Sequence, residues 1–353
     1  MKVIIPCAGK SSRFPNVRPK WMLNSPNGNL MVIDAIKGLE LKEDIEVIIV
    51  LLKEHEEKYS IVKGLKENFS KYFKNKLEVL LLDEQTKSQS ETIYKTIKSL
   101  DINDSILIKD SDNYFEIKNL NEEYNYISVC NLKDFSSINA ANKSYVKINK
   151  ENMILEIVEK QIISDVFSIG GYFFKNSLEF CKYFEKISPE LKNKEVYISD
   201  IIQAMLMNKE IFFIKEGHNY KDWGTLQDWL QYKNKINTYF IDIDGVLFEN
   251  GAQYFEPYWG TTKPLLENIE KIKELKSKGN YIVITTSRTE KYREITLKQF
   301  KDVGLEYDQL VMGIGNGKRI IINDFSNSNP YPSCEAINIE RNSRNLDKYI
   351  KKD

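Results

Sequence analysis

A turn of small residues followed by basic side chains lies near the start of the chain, in a pattern that suits phosphate binding. Residues 7–14 read Cys-Ala-Gly-Lys-Ser-Ser-Arg-Phe, and residues 18–20 read Arg-Pro-Lys. Small residues after a strand let backbone N–H groups approach a phosphate chain, and Arg13 and Lys20 can neutralise its charge. A polar surface loop would have the same composition, so the segment needs support from elsewhere in the chain.

The composition restricts the available chemistry to carboxylates, lysine, arginine and metal ions. His55 and His218 are the only histidines, which excludes most Ser-His-Asp and histidine–metal schemes. The four cysteines lie far apart, so neither a zinc site nor a disulfide framework is indicated. Basic and acidic residues both number 51, and this balance provides no basic field for nucleic acid.

We expect a cytoplasmic protein that does not insert into a membrane. The chain opens with a strand-like run that lacks the features of a signal peptide. No apolar run reaches the length of a membrane span. The widely spaced cysteines are compatible with a reducing compartment.

The elements around these side chains predict two α/β domains, with a boundary between residues 235 and 236. In the first domain, short apolar runs alternate with helix-like stretches, which is typical of βαβ units. Residues 126–174 form a strand-rich insertion with a predicted hairpin over 145–158. The predicted strands are 3–6, 45–52, 77–82 and 106–108, and the predicted helices are 30–41, 90–100, 176–187, 196–207 and 225–235.

The alternation of strands and helices restarts after the boundary and predicts a second parallel sheet. The predicted strands are 239–243, 281–285 and 320–323, with a helix over 263–278. Only about 40 residues separate Asp244 from Thr286, and the helix takes much of that length. We therefore expect no large cap domain.

The first 235 residues resemble the sugar-phosphate nucleotidyltransferase family, in which a small-residue loop ending in Arg precedes a Pro-Lys pair. The resemblance implies a Rossmann-like, GT-A-like mixed sheet with a β-rich insertion. It implies catalytic roles for Arg13 and Lys20. Ser11 stands where the family often has a second glycine. The implied nucleotide-binding residues are Ala8, Gly9, Ser11, Ser12, Gln85 and Ser88.

The same resemblance implies a magnesium site and an acceptor site. Asp112 and Asp222 match the metal-binding aspartates, and paired carboxylates suit a hard Mg²⁺ ion that also binds phosphates. Glu159, Lys160 and Gly171 match the acceptor-binding segment, although an exposed hairpin end is an alternative for the first two. The implied reaction joins the nucleoside monophosphate of CTP or UTP to a small sugar or polyol phosphate.

Residues 239–248, which contain Asp242 and Asp244, resemble the first motif of the haloacid dehalogenase superfamily. The resemblance implies a Rossmann-like parallel sheet, a nucleophile at Asp242 and a proton shuttle at Asp244. A calcium-like acidic loop or a simple strand end is the alternative. Thr286 and Lys318 resemble the phosphoryl-binding hydroxyl and lysine of the superfamily, and the implied Mg²⁺ ligands are Asp242, Asp244 and Asp324.

The sequence therefore predicts a bifunctional nucleotidyltransferase and phosphatase for capsule or surface-glycan precursors. The alternative is an active transferase with a non-catalytic regulatory or oligomerisation domain. Arg288 lies two residues after Thr286, and the sequence does not decide whether it contacts the substrate or forms a surface ion pair. The oligomeric state is open as well.

Overall fold

The computed structural model describes residues 1–9, 11, 13–15, 17–135, 140–189, 195–234, 236–324 and 334–350. The chain divides into two compact units, Met1–Trp229 and Leu230–Asp353. This division falls inside the helix Leu226–Asn234, a few residues before the boundary expected from the sequence. The domain limits 1–235 and 236–353 stay a prediction.

The first unit alternates strands and helices before and after a run of six strands, β4 to β9, that no α-helix interrupts. Its strands are β1 Lys2–Pro6, β2 Glu46–Leu52, β3 Leu77–Leu82, β4 Ile106–Lys109, β5 Asn113–Glu116, β6 Asn125–Asn131, β7 Ser144–Ile148, β8 Ile154–Glu159, β9 Val166–Phe174, β10 Phe212–Glu216 and β11 His218–Asp222. Its helices are α1 Met31–Ile36, α2 Lys53–Tyr59, α3 Ile61–Ser70, α4 Gln89–Ser99, α5 Ser177–Ile187 and α6 Ile198–Met207, with α7 Leu226–Asn234 crossing into the second unit.

The main sheet is mixed, as the sequence predicted. Its order is β10-β6-β9-β4-β1-β2-β3, with β7 and β8 attached beside β9. Strands β1 to β4 pair in parallel, whereas β9 runs antiparallel to both β4 and β6. The expected hairpin is β7 with β8. The strand-rich segment thus contributes central strands to the sheet as well as this hairpin.

Two apolar layers cover the two faces of the main sheet. In β1, Val3 and Ile5 belong to one buried cluster, and Ile4 belongs to the other. This alternation follows from the two-residue period of a strand. The central strands are therefore fixed from both sides, and their carboxyl ends are rigid supports for the loops that follow them.

A small two-stranded sheet brings two distant loops together. Strands β5 and β11 pair antiparallel, and Asp222 stands opposite Asn113 in their register. Asp112 directly precedes Asn113, so this pairing places the two predicted metal ligands at one end of the small sheet.

The second unit contains a three-stranded parallel sheet with the order β12-β13-β14. Its elements are β12 Thr238–Asp242, α8 Leu266–Ser277, β13 Tyr281–Thr285, α9 Arg293–Asp302 and β14 Gln309–Val311. Residues 243–265, all of them described, form only bends, turns and isolated bridges. Ile241, Ile272, Ile284 and Phe300 are among the side chains of its core.

The prediction of a strand over residues 320–323 is wrong. These residues have no regular structure, and Ile320, Ile321 and Ile322 are exposed. The third strand is instead β14, which pairs with β13. An apolar β-branched run satisfies the pattern of a buried strand, but the pattern does not specify an available sheet edge.

No helix among the described residues has the length and apolar character needed to cross a membrane.

Candidate active site

The loop after β1 places a lysine against a carboxylate at the edge of the main sheet. Lys20 begins a short 3-10 helix, Lys20–Met22, and its Nζ lies 2.5 Å from Asp112 Oδ2. The backbone N–H of Lys20 donates to Ser11 Oγ at 3.2 Å. Arg13 Nη2 lies 3.7 Å from the same oxygen of Asp112. Two basic side chains of the predicted phosphate loop thus converge on one predicted metal ligand.

Asp112 and Asp222 face the same small volume. Trp223 N donates to the carbonyl oxygen of Asp112 at 2.9 Å, which ties the two loops together. A methyl group placed on Gly224 would lie 3.0 Å from Asp222 Oδ1, 3.4 Å from Arg13 Nη1 and 3.8 Å from Asp112 Oδ2. This point is therefore surrounded by two carboxylates and a guanidinium group.

The charges around Asp112 keep it ionised. Burial by itself raises the pKa of Asp112, but the charges of Lys20 and Arg13 outweigh burial and hold that pKa below its ordinary value. By contrast, burial raises the pKa of the neighbouring Cys7 thiol to about 12. A neutral thiol is a poor nucleophile, so the reactive groups of this site are its carboxylates and its basic side chains.

Sequence reasoning missed Lys143, which is a further basic side chain of this site. It directly precedes β7, and its ammonium group forms an ion pair with Asp222. Its Nζ also donates to Tyr220 Oη at 2.6 Å. Lys143 and Asp222 are far apart in sequence and share no motif, so only the folded chain brings them together.

A buried lysine supports the loop that carries Asp112. Lys109 is fully buried, and its Nζ donates to the carbonyl oxygens of Asp110 and Asn113 at 2.7 and 2.9 Å and to Asn113 Oδ1 at 2.5 Å. Gln89 Nε2 donates to Asp110 Oδ1 at 2.5 Å. Burial lowers the pKa of Lys109 to about 7, and burial together with the charge of Asp112 raises the pKa of Asp110 to about 6.

Of the five predicted nucleotide-binding residues that the structure describes, three line one cleft and two do not. Gly9, Ser11 and Gln85 line a cavity of about 510 Å³. Ala8 is fully buried in the core instead. Ser88 is the N-cap of α4, where its Oγ accepts a hydrogen bond from Glu91 N at 3.1 Å. Ser12 lies outside the described residues.

The predicted acceptor segment lies at the end of the β7–β8 hairpin. Glu159 ends β8 and accepts hydrogen bonds from Ser144 and from Ser199, the latter at 2.9 Å. Lys160 follows it with a φ of 56°, and its Nζ donates to Tyr197 Oη at 2.8 Å. Gly171 lies within β9, where a methyl group would come within 2.5 Å of a serine hydroxyl on β6. Gly171 therefore permits close packing of two strands.

In the second unit, Asp244 is held by an arginine that has no solvent exposure. Arg288 Nε and Nη2 donate to Asp244 Oδ2 and Oδ1 at 2.9 and 2.7 Å. Arg288 Nη1 donates to Thr296 Oγ1 at 3.1 Å and to Gln299 Oε1 at 2.7 Å. Neither expectation for Arg288, a substrate contact or a surface ion pair, describes this buried network.

The remaining predicted residues of the second unit lie at the carboxyl ends of the neighbouring strands β12 and β13 or in an irregular segment. Asp242 accepts a hydrogen bond from Arg319 Nη2 at 3.0 Å. Thr286 is buried, and its Oγ1 accepts a hydrogen bond from Arg288 N at 3.1 Å. Lys318 and Asp324 are exposed in the segment that lacks regular structure. Asp324 is therefore not preceded by the strand that the sequence predicts over residues 320–323.

The two units differ in how well they fit a magnesium ion. Asp112 and Asp222 present carboxylate oxygens to one volume, and a hard cation takes such oxygens together with phosphate oxygens and water. These residues fit Mg²⁺. Across the described parts of the chain, no group of three or more His, Cys, Asp or Glu residues is arranged to hold a metal. Both oxygens of Asp244 accept hydrogen bonds from Arg288, so Asp244 is less available to a metal ion than Asp112 and Asp222 are. The set of Asp242, Asp244 and Asp324 stays a prediction.

No protein-family model and no curated protein matches the chain. The fold of its N-terminal part is similar to that of several solved nucleotidyltransferases. A nucleoside-diphosphate-sugar pyrophosphorylase from Vibrio cholerae RC9 matches with a TM-score of 0.55 and 18% identity, over 66% of this chain and 99% of that one. An inositol-1-phosphate CTP transferase from T. maritima matches with a TM-score of 0.51 and 13% identity, over 64% and 90% of the two chains.

A putative glucose-1-phosphate thymidylyltransferase from Bacillus anthracis also matches. Its TM-score is 0.51 at 18% identity, over 66% of this chain and 94% of that one. At these identities the likeness establishes a shared fold. Each neighbour is covered nearly in full, so the likeness concerns a whole nucleotidyltransferase fold.

Proposed function

We propose that the first unit transfers a nucleoside monophosphate from CTP or UTP to a small sugar or polyol phosphate and releases pyrophosphate. The reaction would provide an activated precursor for a capsule or another surface glycan, in the cytoplasm. The observation that carries the proposal is the convergence of Asp112, Asp222, Arg13 and Lys20 at one edge of the main sheet. The shared fold supports it.

The arrangement suits phosphoryl chemistry that depends on position and charge. An oxygen of the acceptor phosphate attacks the α-phosphorus of the triphosphate, a new P–O bond forms, and the bond to the β-phosphate oxygen breaks. Lys20 and Arg13 orient the triphosphate and neutralise its charge. Asp112 and Asp222 would hold Mg²⁺, which when bound supplies further neutralisation of the phosphates.

The cavity lined by Gly9, Ser11 and Gln85 is the proposed nucleotide side of the site. The segment with Glu159 and Lys160 is the proposed acceptor side. Among the fold neighbours, one is named as an inositol-1-phosphate CTP transferase, which supports testing a polyol phosphate with CTP.

The test is a screen for pyrophosphate release by the full-length protein with Mg²⁺. The four common ribonucleoside triphosphates are each combined with a panel of sugar and polyol phosphates. We expect turnover with CTP or UTP. Exclusive use of ATP or GTP would refute CTP or UTP as the donor. A lack of pyrophosphate release with every combination would refute the proposed transferase activity.

For the second unit we propose phosphomonoester hydrolysis as one candidate, supported by the motif of Asp242 and Asp244 at the end of β12. Asp242 would attack phosphorus, and Asp244 would protonate the departing alcohol. Water would then cleave the phosphate from Asp242, releasing inorganic phosphate and restoring the carboxylate. A non-catalytic regulatory or oligomerisation module is the second candidate. The buried pairing of Asp244 with Arg288 favours this second role, because a carboxylate held by two charge-assisted hydrogen bonds is poorly placed to exchange protons.

Phosphate release from p-nitrophenyl phosphate separates the two candidates. Activity in the wild-type chain that is lost in Asp242→Asn supports the phosphatase. Absence of activity in both supports the non-catalytic module. The variant Asp302→Asn, in which an exposed aspartate of α9 is changed, is the matched control and should behave as the wild type does.

A further inference from the structure

Lys143 joins the two carboxylate loops of the first unit to the predicted acceptor segment. Its side chain is only 10% exposed and pairs with Asp222. Two of its three N–H donors go to Asp222 and Tyr220. Its carbonyl oxygen accepts a hydrogen bond from Lys160 N at 2.9 Å. The backbone that carries the Lys143 side chain is thus hydrogen-bonded to the predicted acceptor segment.

The two lysines of the site belong to different sides of it. Lys20 is bonded to Ser11, which lines the proposed nucleotide cavity, and pairs with Asp112. Lys143 is bonded through its backbone to Lys160 and pairs with Asp222. Each lysine thus forms an ion pair with one carboxylate. Lys20 lies beside the proposed nucleotide site, and Lys143 lies beside the proposed acceptor site.

We propose that Lys143 binds the phosphate of the acceptor, so that the acceptor must be a phosphomonoester. This inference rests on the proposed transferase function. In the arrangement described, the ammonium group pairs with Asp222. If Asp222 held a divalent cation, Lys143 would lose that partner, and its ammonium group would be available to the acceptor phosphate.

The geometry of the pair makes this exchange feasible. The ammonium group of a lysine is a compact charge on a flexible stem, and its donors rotate freely. The contact with Asp222 involves a single carboxylate oxygen, and Asp222 keeps 24% side-chain exposure. A second cation at Asp222 would repel the ammonium group, because like charges a few ångströms apart interact unfavourably. A phosphate dianion compensates for that repulsion.

Steady-state kinetics of Lys143→Met test this assignment with the substrate pair that the wild-type screen identifies. We expect the KM for the acceptor to rise about tenfold or more, as the loss of a charge-assisted hydrogen bond implies. The KM for the triphosphate should stay within about twofold of the wild-type value. Lys147→Met removes the same charge from an exposed site on β7 and should change neither constant.

The KM values for the acceptor and for the triphosphate together test the role of Lys143. An unchanged acceptor KM, or an equal rise in both KM values, would overturn the role of Lys143 while leaving the transferase intact. A wild-type chain without any turnover would instead refute the proposed function. Lys143→Arg keeps the charge and should recover part of the loss. A melting temperature for each variant identifies any that fail to fold.

Binding of inorganic phosphate gives a readout that does not depend on catalysis. Calorimetry in the presence of EDTA compares the wild type with Asp222→Asn, which removes the carboxylate partner of Lys143. We expect Asp222→Asn to bind phosphate more tightly than the wild type. The double variant Asp222→Asn, Lys143→Met should lose that gain. No gain in Asp222→Asn, or a gain that survives the loss of Lys143, would contradict the proposal.

Discussion

Asp112 and Asp244 each lie shortly after a strand of an α/β sheet and each form an ion pair, but the two pairings have opposite consequences. Asp112 contacts a lysine with 22% side-chain exposure and an arginine with 53%. Asp244 contacts an arginine with no exposure through two parallel hydrogen bonds. The two carboxylates are similarly exposed, at 12% and 14%. The first can exchange its partners for ligands, whereas the second is held by a guanidinium group that has no contact with solvent.

The solvent exposure of the basic partners therefore distinguishes a site that can bind ligands from a motif whose carboxylate has a structural role. A lysine pair with some solvent access costs little to break, because water replaces the contact. A buried bidentate arginine pair leaves an uncompensated charge when one partner leaves. Motifs that look equally catalytic in sequence therefore need not have equal access to substrate.

The largest expected effect is on the stability of the second unit. Arg288→Met should lower its free energy of unfolding by about 3–5 kcal/mol, because the largely buried Asp244 carboxylate, 14% exposed, loses its partner. Hydrogen exchange of peptides covering β12 and β13 measures the change in the full-length chain. Arg293→Met removes an exposed arginine that pairs with Glu290 and should leave exchange nearly unchanged. Similar behaviour of the two variants would mean that Arg288 is not the central support of Asp244.

The next effect is on catalysis in the first unit. Lys20→Ala and Asp112→Ala should each reduce pyrophosphate release about 100-fold or more, because each removes a charge that stabilises the transition state. The phosphatase assay of the second unit should stay nearly unchanged. Lys98→Ala, at an exposed position on α4, is the control. Wild-type turnover of Asp112→Ala at limiting magnesium would show that the metal assignment is wrong.

Local patterns predicted most of the framework of the first unit. Strand β3 was predicted to the residue, and the predicted hairpin corresponds to β7 and β8, because strand periodicity and turn residues are local properties. The convergence of Lys20 with Asp112 followed from the resemblance to a family. The spacing of the side chains alone did not predict that Lys20 and Asp112 would be close together.

The missed features depend on contacts between distant parts of the chain. Lys143 has no motif, and its role follows from the pairing of β11 with β5 and from the β7–β8 hairpin. For Arg288 the sequence leaves a substrate contact and a surface ion pair equally open, and a buried network is not expected because arginine is rarely fully buried. The capping role of Ser88 was recognisable, because a Ser followed three residues later by Glu91 is a typical helix start.

The smallest expected effect is a difference in pH dependence between Asp244 and Asp112. Burial raises the pKa of Asp244 above its ordinary value of 3.8 more than Arg288 lowers it. The folded state therefore keeps the proton of Asp244 at pH values where the unfolded state has lost it. The contribution of Asp244 to stability falls as pH rises from 3.8 through the raised pKa, and mild acidification restores it.

Asp112 should behave in the opposite way, because its pKa in the folded state is lowered. Its contribution is present above the ordinary value of 3.8 and is lost only as pH falls below it. Stability is measured from about pH 7 to about pH 4 for the wild type, Asp244→Asn and Asp112→Asn by hydrogen exchange, corrected for the intrinsic exchange rate. The difference in stability between the wild type and Asp244→Asn should grow in favour of the wild type on acidification, whereas the difference from Asp112→Asn should stay constant. A constant difference for Asp244→Asn would mean that Arg288, rather than burial, determines the ionisation of Asp244, and the contrast between the two sites would then rest on geometry alone.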